Sequence, residues 1–170
     1  MITPTFRSGR KSLMGPIIRL ETSSAERDVN GRKKGGGLNG TKYVNQVIKG
    51  ALKDFLNAVR EEEGRELLVV EDGAPCHQST VTQKARKEVG IKNLGHPPNS
   101  PDLNPMEPLW LLLKNRVADI RGAHNNLENL WWAIQRVWEE ITIEEIQQHT
   151  GKMRDRVDAV IRANGFYTPF

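Results

Sequence analysis

The chain has 170 residues, 37% apolar and 27% charged, enough to bury one domain's core, and no run of 18 apolar residues that would form a membrane-spanning helix. One cysteine, Cys76, excludes an internal disulfide and fits a reducing compartment. The net charge of +4 hides an asymmetry: residues 1–42 carry nine Lys/Arg against three Asp/Glu, and the remainder sums to −2. A basic arm on a near-neutral body faces either a polyanion such as DNA or solvent alone. The opening MITPTFRSGRKSLMG lacks the apolar stretch of a secretory signal, which points to an intracellular location.

In chain order, residues 1–40 read as a basic, weakly structured arm with remnant strands around Leu13–Leu20, ending in the glycine-rich KKGGGLNG, which reads as a loop. From Thr41, apolar residues at Val44, Val47/Ile48, Ala51/Leu52, Phe55/Leu56 and Val59 predict a helix that stops at Gly64. Leu67–Val70 is a short uninterrupted apolar run, expected to be a strand buried on both faces, with Asp72 just past its carboxyl end. A second helix is predicted over Ser79–Gly90 and a second strand over Ile91–Leu94. Four prolines from Pro97 to Pro105 forbid regular structure and define a rigid loop. A third helix is predicted from Asn104, with Pro105 in its first position. Two more follow, the last opening at the capping box Thr142–Glu145. Alternating helices and strands with a helical tail predict a layered α/β fold, with residues 41–170 as its main body.

Two stretches carry the chemistry: Glu71-Asp72-Gly73-Ala74-Pro75-Cys76-His77 and Ser100-Pro101-Asp102-Leu103-Asn104-Pro105-Met106-Glu107-Pro108-Leu109-Trp110. Together they closely resemble the mariner-like group of DDE superfamily transposases. In that group the second catalytic aspartate stands in D-[NG]-A-P-x-H and the catalytic glutamate in S-P-D-L-N-P-[IM]-E-x-L-W. Asp72 and Glu107 hold those places, with 34 residues between them, the spacing of one large branch. Weaker landmarks are Phe6–Ser12, Gly37-Leu38-Asn39 with Tyr43, and Met153 with Arg156-Val157, so the resemblance covers nearly the whole chain.

What the resemblance implies is an α/β, ribonuclease H-like layered fold with a truncated mixed sheet flanked by helices and a helical carboxyl-terminal tail. It implies metal-dependent DNA strand cleavage and transfer, with Asp72 and Glu107 as catalytic metal ligands for Mg2+ or Mn2+. In-line phosphodiester chemistry uses two divalent cations roughly 4 Å apart, and such hard cations take carboxylate oxygens. DNA, as transposon ends, is the implied partner, along with paired assembly of the protein and a nuclear site of action; neither a membrane nor a small-molecule substrate is implied. Arg7, Arg10, Lys11, Arg32, Lys33, Lys34 and His77 are the candidate DNA-binding residues.

Each residue also has a plainer reading. Glu107 follows Asn104 by three and would serve as a capping-box partner. Asp72-Gly73 is a common turn pair. His77 either contacts phosphate or orders its turn, with the turn favoured. Cys76, His77 and His96 lack a fourth ligand for zinc. The tryptophans at 110, 131, 132 and 138 fall mostly on helical stripes and read as core.

The family's first aspartate precedes the Phe6–Ser12 landmark, and nothing before Arg7 is acidic. The family's V-W-G strand is absent where Leu13-Met14 meets Gly15-Pro16, and so is its amino-terminal helix-turn-helix. Asp28 and Asp54 are the only aspartates upstream of Asp72, and neither pattern places them at the site. The expectation is therefore an inactive or very weak nuclease. The alternatives are a non-catalytic DNA-binding or assembly module, and an incomplete gene model of an active transposase.

Overall fold

A computed structural model describes Gly15 and residues 17–27, 29–31, 33–34, 36–64, 66–97 and 99–170, the side chains of Glu26, Lys33 and Lys34 excepted. These residues divide into two compact units, Ile18–Pro98 and Asn99–Phe170, the second also taking in Gly15 and Ile17.

The first unit opens with a short antiparallel pair, β1 (Glu26–Arg27) against β2 (Lys33–Lys34). Ser23 and Gly37 extend it through reciprocal backbone bonds of 2.9 and 3.1 Å. The sequence reads this stretch as loop because no hydrophobic period marks it. Backbone pairing holds it instead, around a turn in which Gly31 takes φ +74° and its carbonyl accepts from Arg27 at 2.8 Å.

Helix α1 (Gly40–Tyr43), a wider π-like stretch (Val44–Ala51) and α2 (Leu52–Glu63) then form the helical run that the apolar stripe predicts. The Asn39 side chain caps it by accepting from Lys42 N at 2.9 Å, and Gly64 at φ +62° ends it. Gly50, at φ −111° and ψ −121°, breaks the helical geometry between the two halves. Val47, Ile48, Leu52 and Leu56 still join one buried cluster.

Strands β3 (Leu68–Val70) and β4 (Lys92–Leu94) pair in parallel, with Val69 opposite Asn93. Helices α3 (Pro75–Gln78) and α4 (Thr80–Glu88) make the crossover between them. Val69 packs into the helical cluster, whereas Leu68 and Leu94 are each 51% exposed. The expectation of burial on both faces fails here, since among the described residues only one face of the pair is covered.

The second unit starts with a 3-10 turn at Pro101–Leu103, followed by α5 (Met106–Asp119), α6 (Leu127–Glu140), α7 (Ile143–Thr150) and α8 (Met153–Arg162). Helix α5 begins at Met106, not at Asn104, and Pro105 is its cap. Trp110 and Trp138 stack at 5.8 Å in a core with Leu109, Leu113, Val137 and Ile141. Trp132 departs from the core reading: it is 54% exposed, and the Arg136 guanidinium lies 5.6 Å from its ring.

The capping box at α7 forms as predicted, Thr142 Oγ1 accepting from Glu145 N and Glu145 Oε2 from Thr142 N. Glu145 also accepts both terminal nitrogens of Arg116, tying α7 to α5. Those hydrogen bonds hold the Glu145 carboxyl below the usual carboxylate range. A depressed carboxyl stabilises fully above its ordinary pKa of about 4.3 and loses that contribution as pH falls through the lowered value. The melting temperatures of the native chain and Glu145→Gln should therefore differ at pH 7, by the equivalent of about 1 kcal/mol, and converge near pH 3 in thermal melts.

Gly40 answers a different constraint. A Cβ there would collide with Ser79 Oγ and lie 2.9 Å from Ser79 Cβ, at the start of α4. Gly40→Ala should lower stability by about 1–3 kcal/mol, read as a drop in the urea midpoint at unchanged m-value.

Candidate active site

Past the end of β3 the side chains keep alternating: Glu71 turns into the helical layer and Asp72 turns out. Glu71 is 7% exposed and fully engaged. Tyr43 OH, from α1, donates to its Oε1. Its Oε2 accepts from Arg86 Nη2 of α4 at 2.7 Å and from Asn93 Nδ2 of β4 at 2.8 Å. Arg86 Nη2 also donates to His77 O of α3 at 2.6 Å, and the Tyr43 and His77 rings meet at 4.4 Å. Burial, and then the neighbouring Glu71 carboxylate, push the Tyr43 phenol well above its usual range, so it stays a donor.

Asp72 sits on this buried frame with its side chain 67% exposed. Its Oδ1 accepts from Ala74 N at 3.1 Å and lies 2.7 Å from His77 Nδ1. A carboxylate only accepts, so that ring nitrogen carries a proton. Pro75 occupies the first position of α3 and gives up no needed donor there.

Glu107 stands in the first turn of α5, exposed, and its carboxylate makes no hydrogen bond among the described residues. The capping-box reading fails on geometry. Asn104 Oδ1 accepts from Met106 N at 3.0 Å, while Asn104 N donates to Pro101 O at 2.9 Å rather than to Glu107. Asp72 and Glu107 belong to different units.

Of the candidate DNA-binding residues, Arg7, Arg10, Lys11 and Arg32 lie outside the described residues, as do Asp28, Leu13, Met14 and Pro16. Lys33 and Lys34 form β2. His77 is buried against Asp72, and Asp54 is exposed on α2. No three His, Cys, Asp or Glu gather as a metal-holding group among the described residues. Asp72 and Glu107 are each exposed carboxylates, and each offers hard oxygens of the kind that Mg2+ and Mn2+ take. Burial pushes the Cys76 thiol above its ordinary range.

Sequence reasoning missed Glu71, Arg86 and Asn93. A signal existed in a glutamate extending an apolar strand run, and in an arginine sharing the inner face of α4 with Thr82 and Ala85.

The family model of DDE superfamily endonucleases matches residues 32–131, and the chain belongs to that family. On its mariner-like branch, the chain is 32% identical over 107 residues to the Tc1 transposase of Caenorhabditis elegans, covering 63% of this chain and 38% of that protein. It is 30% identical over 128 residues to the Tc3 transposase of the same species, covering 75% and 38%. The chain thus spans about two fifths of the length of these curated relatives. Among solved structures, the catalytic domain of Mos1 mariner transposase superposes with a TM-score of 0.66 at 20% identity, covering 80% of this chain and 68% of that one. The Mos1 paired end complex with Mn gives 0.66 at 21%, covering 81% and 40%. The fold is therefore the ribonuclease H-like one of that catalytic domain.

Removing one partner of a buried ion pair strands the other. Arg86→Met should cost about 3–5 kcal/mol in urea denaturation, and Glu71→Gln added to it should recover part of the loss.

Proposed function

We propose that this chain is the Asp72- and Glu107-bearing part of a transposase nuclease domain whose ancestral work is metal-dependent DNA strand cleavage and transfer, and that on its own it binds cation weakly and does not cut. The observation that carries the reading is the posture of Asp72: a carboxylate held outward at a strand end by a buried polar frame, inside the DDE family match. Divalent ions, when bound, would activate the attacking oxygen and stabilise the leaving one.

The chain's own residues do the positioning. Asp72 keeps Oδ1 on His77 and Ala74 N, which leaves its second oxygen for a cation. Glu107 brings an uncommitted carboxylate on α5. Two carboxylates hold a metal pair poorly, because catalysis of this kind rests on fixed charge and position. The basic residues Arg7, Arg10, Lys11, Arg32, Lys33 and Lys34 would grip DNA phosphate, and self-pairing is proposed by analogy with the Mos1 paired end complex. A nuclear site of action goes with this reading.

Mn2+ titration of the purified chain by electron paramagnetic resonance should show weak binding, lowered further by Asp72→Asn and by Glu107→Gln. Unchanged binding in both variants would sink the ligand assignment. Plasmid incubated with the chain and Mg2+ should remain uncut; cutting that Asp72→Asn abolishes would overturn the inactivity. DNA retention should fall about 100-fold between 50 and 200 mM salt if four phosphates are contacted, and a salt-insensitive value would argue against the basic arm.

A further inference from the structure

The loop that leads into α5 is stitched internally. Leu103 N donates to Ser100 O at 3.2 Å, Asn104 N to Pro101 O at 2.9 Å and Glu107 N to Asn104 O at 3.2 Å. Asp102 Oδ1 accepts from Leu103 N at 3.1 Å. Bonds this local fix the shape of the loop but not its place on the unit. Among the described residues, two long-range hydrogen bonds reach the loop, and both end on Asp102. Arg156 Nη1, 54 residues away on α8, donates to Asp102 O at 2.7 Å. Thr168 Oγ1, 66 residues away, donates to Asp102 Oδ2 at 3.0 Å.

Arg156 is an expensive way to hold a carbonyl. It is 4% exposed, its Nε is buried with no hydrogen-bond partner, and its hydrogen bond among the described residues goes to a main-chain oxygen rather than a carboxylate. A buried guanidinium that hydrogen-bonds a carbonyl, with the Asp102 carboxylate only near enough to favour its charge, is a poor source of stability, but its planar fork fixes direction well. The Phe170 ring covers it, 4.9 Å from the guanidinium carbon, and Phe170 N donates to Thr168 Oγ1 at 3.4 Å. Neighbouring Phe166 and Tyr167 are 76% and 102% exposed, so the segment is fastened through Thr168 and Phe170.

We propose that Arg156 and the Thr168–Phe170 strap are positioning elements that lock Asp102, and through the Asp102–Met106 loop set where Glu107 stands. The proposal rests on the reading of Glu107 as a metal ligand, and two readouts on the full chain keep the two apart. The first is amide hydrogen exchange. In Thr168→Val and in a chain ending at Phe166, the amides of Leu103, Asn104, Met106 and Glu107 should exchange about tenfold faster, one RT ln 10 step of roughly 1.4 kcal/mol, while those of Ala133–Val137 do not change. Unchanged loop exchange in both variants would overturn the lock. The second is Mn2+ affinity by electron paramagnetic resonance. Thr168→Val and Arg156→Met should each lower it about as far as Glu107→Gln does, with Arg156→Lys restoring part. A loosened loop with native Mn2+ affinity, where Glu107→Gln does lower it, would overturn the link from Arg156 to Glu107. If Glu107→Gln itself leaves Mn2+ binding intact, the ligand reading fails, and the exchange data alone still decide the lock.

Discussion

The first unit depends on a single buried carboxylate. Glu71 is withdrawn from water, and its two oxygens take hydrogen bonds from Tyr43, Arg86 and Asn93. Stripped of these partners, a buried carboxylate is among the most destabilising groups a core can hold. Supplied with all of them, it fixes α1, α4 and β4 around the end of β3 at once. Arg86 then carries the constraint to α3 by donating to His77 O. The Gly37-Leu38-Asn39 landmark belongs to the same construction. Asn39 caps the helix that delivers Tyr43, and Gly40 lets that helix approach Ser79.

A buried ion pair is weak evidence for stability, since apolar residues of equal volume often do as well. What this one provides is direction. The pleat that turns Glu71 inward turns Asp72 outward, so the pairing of one residue decides the aim of the next. A leucine at position 71 would pack, but nothing polar would then set the angle at which the chain leaves the strand.

Much of this was legible in the sequence. The helical stripe from Val44 to Val59, the stop at Gly64, both strands of the parallel pair and the Thr142–Glu145 box all follow from local pattern, because each depends on residues within a few positions of one another. The DDE motifs single out Asp72 and Glu107 as the candidate carboxylates. Contacts across long separations left no local trace. The Tyr43–Glu71, Glu71–Arg86 and Arg156–Asp102 pairs are polar, and periodicity reports only the burial of apolar residues. The β1–β2 pair was read as loop for the related reason that it buries almost nothing. Trp132 shows the reverse error: a large ring on a helical stripe is counted as core even where a cation, not packing, receives it.

The two carboxylates of the proposed site share a feature that explains why so much polar structure surrounds them. Asp72 accepts only one backbone N–H and one ring nitrogen, both on Oδ1, and Glu107 accepts nothing among the described residues. Strong donors placed directly on a metal ligand would compete with the cation for the same lone pairs. Placement is instead delegated one residue away, to Glu71 beside Asp72, and several residues away, to Asp102 ahead of Glu107. The proposed ligands stay light and their neighbours are heavily bonded, which is how outer-shell groups orient a ligand without consuming its charge. On this argument, the residues that explain the site best are ones that never touch the metal. They can also persist after cutting is lost, because the fold needs Glu71 and Arg86 whether or not Asp72 still has work to do.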